Sequence, residues 1–198
     1  MALNHAHSAQ ASLLSPLAGK YLTFHLNNWE YAIPVHKVQE VVRIQEITPV
    51  PSTPSFIRGL ITLREMVLPV IDLRTKFAMP PADDTEQTCI VIVQVVREGR
   101  TVTLGVVVDE VREVILLGAG DIRPTPDFGI PLDIQFILGV VKAGARVRLL
   151  LDIDYLLTTR EIVAVQDVLD GARDALTADD DDDDTDTHEP PAQERLSE

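Results

Sequence analysis

The segment Phe56-Ile57-Arg58-Gly59, followed thirteen residues after its glycine by Asp72-Leu73, decides the fold because it occurs twice. The second copy, Phe136-Ile137-Leu138-Gly139 with Asp152-Ile153, lies eighty residues downstream with the same spacing. Two upstream motifs also repeat, at offsets of 73 and 75 residues: Val35-x-x-Val38-x-Glu40-Val41 with Val108-x-x-Val111-x-Glu113-Val114, and Ile47-x-Pro49-x-Pro51 with Ile122-x-Pro124-x-Pro126. Three motifs in one order predict two copies of a unit of roughly seventy residues, and any function is expected to use the surface between them.

The charge of this 198-residue chain is concentrated at its end. The formal net charge is -14, and residues 170–198 contribute -10 through twelve acidic and two arginine side chains, which leaves -4 for residues 1–169. Because that part has no basic stripe to neutralise phosphates, nucleic-acid binding is disfavoured. The aspartate-rich residues 178–198 are expected to form a disordered acidic tail. Solubility is its simplest role, and a contact for basic partner segments is the alternative.

The sequence indicates a soluble, cytoplasmic location without membrane insertion. The first twenty residues lack a basic start and a sustained apolar stretch, and apolar runs elsewhere are shorter than the 18 or so residues that a spanning helix needs. The single cysteine, Cys89, cannot form an intramolecular disulfide, which fits a reducing compartment. Residues 1–18 have no clear periodicity and are expected to be a disordered N-terminal arm.

Apolar, β-prone runs separated by turn residues predict hairpins in both copies. The hairpins are expected over residues 21–35, 60–71, 88–108 and 136–151. Valines at helical spacing predict a short helix after the first hairpin of each copy, at Val35, Val38, Val41 and Val42 and again at Val108, Val111 and Val114. An apolar stripe from Ile162 to Leu176 predicts a C-terminal helix over 159–177.

Strand-rich copies of this size favour a mainly β fold of two small barrels, because closure removes exposed strand edges. Each copy is near the size at which a single core is marginal, so the two should pack together. The expected domain covers residues 19–158, with its two halves at about 19–85 and 86–158.

Several of these motifs, taken in order, resemble the CheW family. The resemblance spans about residues 19 to 170 and is carried by the run 35–41, the proline loop, Phe56-Ile57-Arg58-Gly59 with Leu63-Arg64, the run 68–73, and Val107-Val108-Asp109-Glu110-Val111. It implies two similar five-stranded, SH3-like β-barrels packed together, with short connecting helices and a C-terminal helix. It also implies an adaptor of a bacterial chemosensory array, which couples methyl-accepting chemoreceptor helices to the regulatory domain of a CheA-type histidine kinase.

The same resemblance implies receptor contact around Val38, Glu40, Gly59, Arg64 and Val108, and leaves the kinase interface unassigned. The residues themselves agree in part with this assignment. Glu40 follows the apolar face of the predicted helix and Arg64 lies at a hairpin tip, so both can face one groove. The alternative is a surface ion pair without a binding role, worth about 0 to 1 kcal/mol.

One departure from the family pattern lies beside Arg64. The resemblance leads us to expect glycine after this arginine, whereas the chain has Glu65. If the tip requires a positive φ, Glu65 carries a backbone cost that glycine would avoid. A carboxylate at this position also changes which partner Arg64 can pair with.

An enzyme is the main rival interpretation. Asp72 and Asp152 are equivalent by the repeat and form a symmetric carboxylate pair, but each is better explained as a cap on the turn that follows its strand. The sequence shows no nucleophile arrangement, no phosphate-binding glycine loop and no metal-ligand spacing. We therefore expect no catalytic residues, no metal and no cofactor. A CheW-like adaptor of another output, such as surface motility, is the second rival.

Overall fold

A computed structural model of the chain describes residues 15–125, 135–144 and 146–178. The strands in these ranges are β1 Gly19–Leu26, β2 Trp29–Pro34, β3 Val38–Arg43, β4 Ile57–Leu63, β5 Met66–Asp72, β6 Cys89–Arg97, β7 Arg100–Val108, β8 Glu110–Leu117, β9 Ile122–Arg123, β10 Ile137–Ala143 and β11 Arg146–Leu151. The α-helices are α1 Leu73–Lys76 and α2 Thr159–Ala178, and single 3-10 turns cover Ser15–Leu17, Val35–Lys37 and Ile153–Tyr155.

The strands form two curled sheets, which confirms the mainly β, two-barrel fold. The first barrel has the strand order β8-β1-β2-β11-β10-β9, and the second has β3-β6-β7-β5-β4. The first barrel thus has a sixth strand, the two-residue β9, in addition to the five that were expected. The curl shows in the second barrel, where Glu40 on β3 meets Arg64 at the end of β4, although these strands are the two edges of the sheet.

The barrels do not coincide with the two sequence halves at 19–85 and 86–158. The hairpin β1–β2 of the first half lies in the first barrel with β8–β11, and the hairpin β6–β7 of the second half lies in the second barrel with β3–β5. Two parallel pairings join the exchanged parts, β2 with β11 and β5 with β7. Each half therefore gives its first hairpin to the barrel that the other half builds.

The short helices predicted after the first hairpin of each copy are wrong, and only Val35–Lys37 in the first copy form a single 3-10 turn. Residues from Val38 onward form β3, and Glu110–Leu117 form β8. Burial along β3 alternates strictly, with Val38 and Val42 facing inward and Val41 outward. The helical spacing arose because two adjacent valines occupy opposite faces of a strand. β-branched side chains fit a pleated surface well, and pairing with β6 determines the structure.

The repeated glycine and aspartate mark equivalent points of the two barrels. A Cβ atom on Gly59 would overlap the carbonyl oxygen of Thr48, and one on Gly139 would lie 2.7 Å from the carbonyl oxygen of Arg123. At each site, therefore, a strand crosses close over the glycine backbone. Each aspartate also makes the same backbone hydrogen bond to the phenylalanine sixteen residues before it. The Asp72 amide donates to Phe56 O at 2.8 Å, and the Asp152 amide donates to Phe136 O at 2.7 Å.

Both aspartates cap the turn that follows their strand, as the sequence predicted. Asp72 Oδ1 accepts a hydrogen bond from the Thr75 amide at 3.1 Å, at the start of α1. Asp152 Oδ1 accepts one from the Asp154 amide at 3.0 Å, at the start of the Ile153–Tyr155 turn. The symmetric placement of Asp72 and Asp152 is therefore explained by capping in a duplicated fold.

A shared hydrophobic core joins the two barrels. It contains apolar side chains from both sheets and from the buried face of α2, which is formed by Ile162, Val165 and Leu169. Four aromatic rings connect across this core, Phe24, Tyr31, Phe77 and Phe136, with successive centroids 5.1 to 5.9 Å apart. Burial raises the pKa of Tyr31 to about 12. The predicted C-terminal helix is thus part of the structure that holds the barrels together.

Charged side chains hold the same junction at its surface. Asp109, between β7 and β8, accepts a hydrogen bond from the Asn27 amide at 2.6 Å and pairs with Arg74 of α1 at 2.6 Å from Nε. Lys76 Nζ lies 2.5 Å from Glu161 of α2 and 4.9 Å from the ring centroid of Phe56. These contacts link the first-barrel hairpin, the end of β5 and α2, so the barrels form one unit.

The predicted terminal segments lie mostly outside the described residues. Residues 1–14 and 179–198 are not described, so the expected disorder of the arm and of the tail remains a prediction. The last part of the expected arm is structured, because Ser15–Leu17 form a 3-10 turn and Tyr21 donates its hydroxyl to Leu17 O at 2.7 Å.

Candidate functional site

The structure brings together two of the predicted site residues, Glu40 and Arg64. Glu40 lies on the edge strand β3, and Arg64 lies in the turn between β4 and β5. Arg64 Nη2 donates to Glu40 Oε2 at 2.9 Å, with the Arg64 side chain 76% exposed and that of Glu40 26% exposed. The pair therefore stands where the second barrel closes, with the guanidinium projecting into solvent.

Backbone contacts next to the pair hold the closure in place. The amide of Thr48 donates to Leu60 O and the amide of Leu60 to Thr48 O, both at 2.9 Å. Gln45 Nε2 also lies 3.5 Å from Thr62 O. Because the chain after β3 is fixed to β4 in this way, the hairpin that carries Arg64 has a defined position relative to Glu40. We call the surface formed by Glu40, Arg64 and Glu65 the tip site.

The turn at the tip site has two consecutive residues with positive φ, 48° at Arg64 and 69° at Glu65. These angles define a two-residue type I′ turn between Leu63 and Met66, which are paired across the hairpin. The turn thus does require a positive φ at Glu65, and this is the condition under which Glu65 carries a backbone cost that glycine would avoid. Glu65 is exposed, and among the described residues no ion pair or hydrogen bond to its side chain is found.

The other three predicted residues are set back from the surface. Val38 is half-buried and packs against the shared core, Gly59 is buried under Thr48, and Val108 is 1% exposed at the end of β7. Val108 lies beside the Asp72 end of β5, away from the Arg64-Glu65 turn, and neither Val108 nor Gly59 has a side-chain surface to offer a partner. Of the five predicted site residues, Glu40 and Arg64 thus present charged side chains at the surface, whereas Val38 is half-buried and Gly59 and Val108 are buried.

The first barrel carries a related ion pair that sequence reasoning missed. Glu113, the repeat equivalent of Glu40, lies 3.1 Å from Arg148 Nη2, and Arg148 Nε lies 2.7 Å from Glu30 Oε1. His25 and Glu110 stand beside them, with Nδ1 3.6 Å from Oε2. The repeat of Val38-x-Glu40 as Val111-x-Glu113 was the available signal. Here, however, the equivalent of Arg64 is Gly144, and the arginine comes from a strand.

An exposed apolar face on β8 was also missed. Val114 and Leu116 are 54% and 76% exposed and point to the same side of β8. In the described residues β8 pairs only with β1, so it is an edge strand. This face was not predicted from the sequence, because Val114 was assigned to a helix and Leu116 was not assigned to any element.

Among the described residues, no group of three or more histidine, cysteine, aspartate or glutamate side chains is found that could hold a metal ion. In the same residues, no helix is long and apolar enough to cross a membrane. The geometry defines a class of protein: a rigid two-barrel module whose distinctive surface groups are a charged hairpin tip and an apolar edge strand, both suited to binding other proteins.

Comparison with known proteins agrees with this class. A family described as CheW-like domain matches residues 20–161. The chain is 37% identical over 165 residues to chemotaxis protein CheW of Klebsiella aerogenes, covering 81% of this chain and 97% of that protein. It is 30% identical over 140 residues to a probable chemotaxis protein CheW of Rhizobium etli, covering 71% and 88%. The solved structure of the scaffolding protein TtCheW from Thermoanaerobacter tengcongensis superposes with a TM-score of 0.63 at 30% identity, covering 73% of this chain and 90% of that one.

The chain belongs to the CheW-like family. The match begins in β1 and ends in the first turn of α2, so it includes both barrels and every residue of the tip site. The resemblance inferred from the sequence motifs is confirmed.

Proposed function

We propose that this protein is a non-catalytic adaptor that couples methyl-accepting chemoreceptors to a CheA-type histidine kinase in a chemosensory array. The observation that carries the proposal is the tip site, which lies in a domain whose relatives are named chemotaxis proteins. An adaptor needs two partner surfaces on one rigid body, and the described residues offer a charged one and an apolar one.

The tip site is the proposed receptor surface. Chemoreceptor cytoplasmic regions are helical, and an exposed arginine on a fixed hairpin can pair with an acidic side chain on such a helix. The Glu40 carboxylate holds the guanidinium in place, which reduces the ordering cost of that contact. The exposed ion pair itself contributes only about 0 to 1 kcal/mol to folding, so selection for stability alone is a weak explanation for it.

The exposed face of β8 is the proposed kinase surface. Val114 and Leu116 place two adjacent aliphatic side chains on an edge strand, next to the exposed Arg112. An apolar centre with a charged rim is the usual composition of a protein–protein interface. The tip site lies in the second barrel and β8 in the first, so one adaptor can hold both partners at once.

This function places the protein in the cytoplasm, recruited to receptor arrays at the membrane by its partners. The expected lack of nucleic-acid binding accords with the net charge of -4 on residues 1–169.

A reconstitution experiment tests the proposal. Membranes containing a chemoreceptor from the same organism are mixed with the CheA-type kinase, with and without this protein, and the amount of kinase that sediments with the membranes is measured.

We expect the kinase to sediment only when the adaptor is present. Glu40→Lys should abolish this effect, whereas Glu98→Lys, which changes an exposed glutamate in the β6–β7 turn, should not. Kinase that sediments equally without the adaptor would contradict the proposal. Swimming and surface spreading of a deletion strain then identify the output, including the alternative of surface motility.

A further inference from the structure

The turn that carries Arg64 is unusual among the hairpin turns of this chain. Positive φ is required in the turns after β1, β4, β6 and β10, at Asn27, at Arg64 and Glu65, at Glu98 and Gly99, and at Gly144. Asparagine and glycine adopt this conformation at low cost, and each of the other turns uses one of them. In the described residues, only the tip site places charged side chains at two consecutive positions of this kind.

The fold does not require these side chains. Glycine at the second position would relieve the backbone without removing any contact, because Glu65 is exposed and no hydrogen bond or ion pair to its side chain is found in the described residues. Backbone strain that the surrounding structure tolerates is often found at functional sites, and the inference runs from the observed outlier to a function.

The charges at the tip site are also unequal. Arg64 is paired with Glu40, and Glu65 then leaves one uncompensated negative charge on an exposed turn. The tip site therefore presents one carboxylate, that of Glu65, without a partner among the described residues, beside the exposed guanidinium of Arg64.

We infer that Glu65 is a specificity-determining residue of the proposed receptor surface, and that it selects receptor helices with a lysine or arginine facing this turn. The inference rests on the proposed receptor-binding function. A basic side chain on the partner helix would pair with Glu65, and an acidic side chain one helical turn away would pair with Arg64. The tip site would thus recognise two opposite charges in a fixed order. Such charge matching sets partner choice and orientation.

The test measures binding of the full-length protein to a soluble helical-hairpin fragment of a chemoreceptor from the same organism, chosen to carry a basic residue at its tip. Affinities of wild type, Glu65→Gln, Glu65→Lys and Glu65→Gly are compared at low and high salt. The matched control is Glu98→Gln, since Glu98 is also an exposed glutamate with a positive φ, 49°, in a different turn.

We expect Glu65→Gln to weaken binding about threefold and Glu65→Lys about tenfold, with both differences lost near 1 M salt. Glu65→Gly should weaken binding as much as Glu65→Gln while raising the melting temperature, a combination that a purely structural role would not give. Changing the basic residue of the fragment to glutamate should restore the affinity of Glu65→Lys. Glu98→Gln should bind like wild type.

Two results separate the possible failures. If wild type binds and Arg64→Glu does not, but all Glu65 variants bind like wild type, the inference about Glu65 is wrong and the receptor surface stands. If wild type itself fails to bind any receptor fragment, the proposed receptor function is wrong and the inference falls with it.

Discussion

Asp72 and Asp152 occupy equivalent positions in the two halves and cap equivalent turns, yet their electrostatic surroundings differ. Burial is the main cause that raises the pKa of Asp152, and the neighbouring Asp154 adds to it. Asp72 instead lies 4.0 Å from Arg58. An acid whose pKa is raised in the folded state favours folding more when it is protonated, so its contribution to stability falls as pH rises through that pKa.

We expect Asp152→Asn to keep its cap and to be as stable as wild type or more stable at pH 8, because asparagine also caps well and carries no buried charge. The advantage over wild type should shrink as the pH is lowered to 4. Asp72→Asn should lose up to about 1 kcal/mol, since it removes the attraction to Arg58. Urea unfolding at both pH values measures this, and equal behaviour of the two variants would contradict the explanation.

Reversing the charges of the tip site should separate receptor binding from folding. Glu40→Lys and Arg64→Glu are each expected to abolish receptor coupling while changing the free energy of unfolding by no more than about 1 kcal/mol. The double variant restores an ion pair with the charges exchanged, so it should fold like wild type and still fail to couple. Coupling by the double variant would show that the pair matters only as an internal contact.

Kinase binding should be independent of the tip site. The Glu40 and Arg64 variants are expected to bind the isolated regulatory domain of the kinase like wild type, with only modest salt dependence. Leu116→Ser should weaken this binding by about tenfold and leave receptor binding intact, because an exposed leucine can be changed without loss of core packing. Titration calorimetry with each partner decides it. Parallel loss of both partners in any one of these variants would indicate a single shared surface.

The glycines of the repeat should be required for the fold. Gly59→Ala places a Cβ against the Thr48 carbonyl at a φ of 146°, and Gly139→Ala places one 2.7 Å from the Arg123 carbonyl. Each substitution should lower the free energy of unfolding by more than about 1 kcal/mol. Gly120→Ala is the control, because no atom lies within 4 Å of its added Cβ. If Gly59→Ala lost receptor binding at unchanged stability, Gly59 would be a contact residue.

Replacing Glu65 by glycine should stabilise the protein. Glu65 has a φ of 69°, and glycine adopts this conformation without steric cost, so a gain of about 1 kcal/mol is expected, or roughly 2 to 4 °C in melting temperature. Arg64→Gly should stabilise less, since it also removes the pair with Glu40. Differential scanning calorimetry measures both. An unchanged or lower melting temperature for Glu65→Gly would mean that its side chain makes a stabilising contact.

The sequence predicted those parts of the fold that depend on local pattern and on the repeat. The hairpins were predicted from apolar, β-prone runs separated by turn residues, and the C-terminal helix was predicted from its apolar stripe. The caps at Asp72 and Asp152 were predicted from their position after a strand. The helices predicted near Val38 and Val111 were wrong because valine spacing alone does not distinguish a helix from a strand that pairs with β6 or β1.

The tip site was predictable in part. The family resemblance singled out Glu40 and Arg64, which the structure brings together, and the departure at Glu65 was visible in the sequence. The apolar face at Leu116 and the pairing of Arg148 with Glu113 depend on which strands become edges and which become neighbours. That in turn depends on the exchange of hairpins, and no local pattern encodes it.

The exchange of hairpins also bears on how the chain is made. Neither half contains all the described strands of a barrel. Residues 19–85 contain β1–β2 but not β8–β11 of the first barrel, and they contain β3–β5 but not β6–β7 of the second. The arrangement resembles a domain-swapped homodimer whose two subunits are fused end to end. Two separate copies of one half would each have a hairpin that the other copy's barrel lacks. During synthesis, β2 gains its parallel neighbour only after β11 has been made, when Arg148 can pair with Glu30. A nascent chain that ends between the two halves would therefore have open strand edges and no finished core, and such edges are prone to aggregation.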